Sequence, residues 1–93
     1  MDYSEEFIEK VRELAEALTP VSDIAALLDV DETLLRDELS NKFSPVRKAY
    51  DKGKATTALA LRKQELELAK VGSPLAVQLS SSYVRDMTIN EDL

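Results

Sequence analysis

The chain contains no cysteine and no histidine. That removes thiol chemistry, disulfides, imidazole acid–base catalysis and the usual zinc ligands together. Only a carboxylate-based metal or acid–base site remains open, and the carboxylates fall where solvated helix faces are expected. No catalytic residue, metal ligand or cofactor is therefore expected. Glycine (two) and proline (three) are scarce, so the chain carries little of the punctuation that many short strands need. A few long helices are the better expectation. No run of about 18 apolar residues exists, which argues against a membrane span. The N-terminus, MDYSEEFIEK, is acidic and lacks an apolar core segment, so it does not read as a signal peptide. A cytoplasmic location is the expectation.

What is present is a globular composition, 44% apolar over 93 residues, with net charge −6. The charge is unevenly spread. Residues 1–42 hold 12 acidic and four basic side chains, whereas residues 43–70 hold three acidic and seven basic ones. Partners respond to such local fields more than to the mean.

Apolar spacing of three to four (Phe7, Val11, Leu14, Leu18, with Ile8 and Ala15 beside them) predicts an amphipathic helix over residues 3–18. Ser4 or Asp2 caps its start, and Thr19–Pro20 stops it. A short helix over 21–29, capped by Ser22 or Thr19, buries Ile24, Ala25, Leu27 and Leu28. Asp31 caps a third helix over about 32–41 with Leu34, Leu35 and Leu39 as its apolar residues. Ser44–Pro45 reads as the start of a long helix that nothing ends before Gly72, with a bend possible at Gly53. Gly72–Ser73–Pro74 is a stop-and-restart signal. A last helix covers about 74–87, built on Leu75, Leu79, Tyr83 and Met87.

The fold expected is all-α: an N-terminal helix-turn-helix three-helix bundle (1–43), then a long helix and a C-terminal helix forming an αα-hairpin (44–88), then a flexible tail (89–93). Two apolar stripes run along the long helix, one through Val46, Tyr50, Gly53, Thr57, Leu61 and Leu68, the other through Ala55, Leu59, Leu66 and Ala69. The returning helix can cover only part of them. Either the N-terminal bundle folds back on the remainder, or another copy of the chain packs there.

Residues 24–39, IAALLDVDETLLRDEL, carry the apolar frame of a helix-turn-helix: Ile24, Ala25, Leu28, Asp29, Val30, Leu35 and Leu39. Ala25 permits close helix approach, Val30 plugs the turn, and Asp29 suits a left-handed turn residue. The outer face of the second helix would then be Glu32, Thr33, Arg36, Asp37 and Ser40, with Asn41 and Lys42 at its end. Arg36 suits guanine, Asn41 adenine, and the acids cytosine amino groups. The face is acidic and DNA is a polyanion, so phosphate affinity must come from elsewhere. Arg47, Lys48, Lys52 and Lys54 at the start of the long helix are read as a basic ridge that supplies it. A purely solvated face, or a scaffold whose acidic side meets a basic protein, is the competing reading; a small dimeric transcriptional regulator is another.

The segment FSPVRKAYDKGKATTALALRKQELELAKVGSP, with Phe43, Ala49, Tyr50, Gly53, Lys54, Ala55, Leu61, Arg62, Gln64, Leu68, Ala69 and Gly72 at the matching positions, resembles the small terminase subunits of tailed bacteriophages and prophages. With residues 24–39 the resemblance covers about two-thirds of the chain. It implies a non-enzymatic adaptor that binds the packaging-initiation site on viral double-stranded DNA, assembles into a homo-oligomeric ring and delivers the DNA to the large terminase subunit. Thr33, Arg36 and Asp37 would lie on the DNA-facing helix. Leu59, Leu66 and the last helix would lie in the oligomerisation region.

Overall fold

The computed structural model describes residues 3–91. Among them the protein is all-helical: α1 (Glu5–Glu16), α2 (Val21–Leu28), α3 (Glu32–Leu39), α4 (Pro45–Lys70) and α5 (Pro74–Glu91). The chain divides into two compact units, Met1–Thr57 and Ala58–Leu93. The division falls inside α4, not at the Phe43–Ser44 junction expected from the proline. Ser44–Pro45 marks where a helix starts; packing decides where a unit ends.

Local chemistry explains most helix boundaries. Ser4 accepts from the Phe7 amide (3.1 Å) and Asp31 from the Leu34 amide (3.0 Å), each satisfying an otherwise orphaned N–H. Helix α2 departs from expectation: its N-cap is Pro20, and neither Ser22 nor Thr19 caps it. Helices α1, α2 and α4 all end in the same paired-bond motif. The amide of a left-handed residue bonds back to one carbonyl, and the next amide bonds to the carbonyl one residue earlier. The left-handed residues are Leu18 (φ 60°), Asp29 (φ 60°) and Gly72 (φ 91°). Asp29 and Gly72 suit that conformation. Leu18 does not, and it leaves the α1 stripe in which it was expected: it follows the last helical turn and is exposed. Helix α5 runs to Glu91 rather than ending near 87, because residues 88–91 contain no glycine or proline to stop it. The tail expected over 89–93 is thus helical through 91, and residues 92 and 93 lie outside the described residues.

The core of the first unit is Val11, Ile24, Ala25, Leu35, Leu39 and Val46, with Phe7, Ile8, Leu14, Leu28, Val30 and Tyr50 packed around it. Four of these side chains, Ile24, Leu35, Val11 and Val46, are fully enclosed. Leu27 and Leu34, expected inside, are exposed. In eight-residue helices the buried positions are set by Ile24 and Ala25, and by Leu35 and Leu39. Successive residues are about 100° apart, so Leu34 faces away from the side that Leu35 and Leu39 bury.

The start of α4 belongs to this unit because Gly53 meets α1. A Cβ at Gly53 would collide with the Arg12 carbonyl oxygen and lie 2.8 Å from the Glu16 amide nitrogen. Only a bare backbone fits. Next to it, Thr57 donates its hydroxyl proton to the Glu16 carbonyl, one of the α1 carbonyls that has no partner within the helix. The stripe Val46, Tyr50, Gly53, Thr57 is therefore covered by the N-terminal bundle, the first of the two alternatives left open by the sequence.

The second unit is different. Among its described residues only Ala76 is a buried apolar side chain. Arg62 lies over the Tyr83 ring at 5.3 Å. Leu59, Leu66, Val84 and Met87 rim a groove of about 380 Å³ between α4 and α5. Leu61, Leu68, Val71, Leu75, Val77 and Ile89 are exposed as well.

Candidate nucleic-acid interface

Helix α3 presents Glu32, Thr33, Arg36, Asp37 and Ser40 to solvent, as expected from the sequence. Their side chains are not all free. Arg36 Nε pairs with Glu32 Oε2 at 3.2 Å, one turn back, and both groups are exposed. The Ser40 hydroxyl donates to the Asp37 carbonyl (2.6 Å). Beyond the helix, Asn41 accepts from the Phe43 amide (3.0 Å), so this side chain shapes the loop. Lys42 is exposed. The Glu38 carboxylate turns inward and accepts from the buried Ser44 hydroxyl (2.6 Å), which itself accepts from the Val46 amide (3.1 Å). With Asp31 capping α3, two of the four acids of residues 31–38 are thereby committed to the fold.

The basic ridge on α4 is split. Arg47 is half-buried and acts as a brace: Nη1 donates to the Leu39 carbonyl at the end of α3 (2.7 Å), and Nε donates to Asp51 (2.9 Å). Lys54 lies over the Tyr50 ring at 5.3 Å. Arg47, Tyr50, Asp51 and Lys54 join Arg36, Leu39, Ser40 and Val21 around one open groove of about 260 Å³. Lys48 and Lys52 do not line it. Residues 48 and 52 lie about 100° around the helix from 47 and 51. On α1, the hydrogen bond from Arg12 holds the Glu9 carboxyl below the usual range, and the Lys52 charge adds a smaller pull in the same direction. The single ridge expected over residues 47–54 is thus two faces: Arg47 and Lys54 beside α3, Lys48 and Lys52 to the side.

No family model matches the chain, and no significant similarity links it to a curated protein or a solved structure. Among the described residues no group of three or more Asp or Glu side chains is placed to hold a metal ion, and no helix is long and apolar enough to cross a membrane.

Four site residues proposed from sequence (Arg36, Ser40, Arg47, Lys54) meet at one groove. Thr33 and Asp37 lie on the exposed α3 face, and Asn41 and Lys42 in the adjoining loop. Tyr50 and Asp51 line the groove without having been singled out for it. The i, i+4 spacing of Arg47 and Asp51 is the signal that could have found the second. Phe43, a motif position in the sequence, is 85% exposed beside this face.

Proposed function

We propose that this protein is a non-enzymatic, oligomeric DNA-binding adaptor of the phage-packaging kind, reading viral double-stranded DNA through α2 and α3 as a helix-turn-helix. The observation that carries the reading is the α2–α3 unit itself. Ile24, Ala25, Leu35 and Leu39 lock the two helices together, left-handed Asp29 makes the turn, and Thr33, Arg36, Asp37 and Ser40 remain on the outside. In this reading Arg36 opens its pair with Glu32 to contact a base edge. Lys54 and Lys48 take phosphates, and Arg47 fixes the angle between reading helix and phosphate-binding helix. The chain is acidic overall, so one copy binds weakly. Several copies supply avidity, held together by the apolar side chains that the long helix and its returning partner, read as an αα-hairpin, leave exposed. The resemblance of residues 43–72 to small terminase subunits supports the packaging role and makes the large terminase subunit the protein partner, in the cytoplasm of an infected or lysogenic bacterium.

The test is a mobility shift with duplex phage or prophage DNA at about 50 mM salt, where phosphate contacts are strong. The folded protein shifts the duplex. Lys48→Glu with Lys54→Glu weakens binding to every sequence, and Arg36→Ala relaxes sequence preference. Folded protein that shifts no duplex overturns the reading. A second reading, a protein-assembly module, is favoured by one observation: Leu27 and Leu34 are exposed at 66% and 51%. It expects capture of a basic protein and no nucleic acid.

A further inference from the structure

Phe43 has the greatest exposure of any large apolar side chain among the described residues, 85%. Its loop is not loose. The Phe43 amide donates to Asn41 Oδ1, the Ser44 amide donates to the Asn41 carbonyl (3.0 Å), and the Ser44 hydroxyl is buried between Glu38 and the first turn of α4. The chain has one other phenylalanine, Phe7, which stacks on Tyr3 at 4.7 Å and packs on the core. One phenyl ring is thus used for folding, and the other is held in water by a well-bonded backbone.

The surroundings indicate what such a ring meets. Residues 39–50, LSNKFSPVRKAY, contain Lys42, Arg47 and Lys48 and no carboxylate, within a chain of net charge −6. Glu38, the nearest acid before them, faces Ser44. An aromatic ring framed by cations matches a partner that offers flat apolar faces on an anionic backbone, which is the chemistry of nucleic acid. Phe43 also follows directly on the exposed face of α3, three residues beyond Ser40.

We infer that Phe43 is an apolar wedge that enters between adjacent base pairs of the bound duplex, while Lys42 and Lys48 hold the flanking phosphates. The inference rests on the DNA-binding reading and adds a residue outside the reading helix. Wedge insertion unstacks a base step and kinks the duplex, so it favours flexible pyrimidine–purine steps at that position.

The chain has no tryptophan, so Phe43→Trp places a single tryptophan at the site, excited selectively over the three tyrosines. Adding duplex DNA should quench its emission through stacking on bases. Phe43→Ala should weaken duplex binding by roughly tenfold with unchanged helicity and melting temperature, and Phe43→Leu, still an apolar wedge, should keep part of the affinity. If wild-type protein binds duplex and Phe43→Ala binds equally well, the wedge is wrong and the DNA reading survives. If folded wild-type protein binds no duplex, both fall. If the F43W emission shifts with protein concentration alone, the ring packs against another copy and the inference is overturned.

Discussion

The two units of this chain handle their apolar side chains in opposite ways. In Met1–Thr57, Val11, Ile24, Leu35 and Val46 are fully enclosed. In Ala58–Leu93, Ala76 is the one buried apolar residue among those described, and Leu59, Leu66, Val84 and Met87 stand around an open groove. Several helices crossing at close range can enclose a core. Two helices joined by one turn cannot, since each covers only one side of the other. The first unit therefore completes its packing within the chain. The second leaves most of its large apolar side chains in water.

Truncation breaks or sharpens this contrast most strongly. Ile24→Ala should cost about 3–4 kcal/mol in denaturant unfolding, whereas Leu66→Ala, measured on dilute protein, should cost less than about 1 kcal/mol. Equal costs would erase the distinction between the units. Next in size is Gly53→Ala, which places a methyl group against the α1 backbone. It should destabilise by about 2 kcal/mol despite alanine's better helix propensity, and a neutral or stabilising result would mean that α4 does not press on α1 there.

These effects bear on what the sequence made legible. Features set by a residue and its immediate neighbours could be read: the caps at Ser4 and Asp31, left-handed Asp29, the stop at Gly72. Features set by another element could not. Gly53 looks like a weak point in a helix until α1 is laid against it. Leu27 and Leu34 look like core until Ile24, Ala25, Leu35 and Leu39 have taken the inner face. The basic ridge looks continuous until Arg47 is drawn to the Leu39 carbonyl and Lys48 and Lys52 fall outside the groove that Lys54 lines. Leu18 is the case where local chemistry misleads, because a leucine adopts the conformation that asparagine or glycine prefers.

That residue gives a smaller prediction. Leu18→Gly should raise stability by up to about 1 kcal/mol by relieving a left-handed leucine. In the second unit Gly72→Ala should lower stability by about 1 kcal/mol from backbone strain alone, because nothing lies within 4 Å of the added methyl group. The smallest effect is on pH. The Arg12 guanidinium, bonded to Glu9 and Glu16, holds the Glu9 carboxyl below its ordinary value. A depressed folded-state value stabilises the protein above the unfolded pKa, and that contribution fades as pH falls through the lowered folded value. Glu9→Gln should flatten this part of the acid limb of thermal stability slightly, measured by melting at descending pH.

The proposed function joins the two units through one requirement: an acidic protein would grip a polyanion only with several copies acting together. The most direct measurement is the duplex-DNA affinity of wild-type protein and of Leu66→Glu with Val84→Glu, read alongside their masses by sedimentation. Wild-type protein should sediment as several chains and bind with a steep salt dependence. The variant should sediment as a helical monomer and bind at least about tenfold more weakly. Equal mass and equal affinity for the two proteins would contradict it.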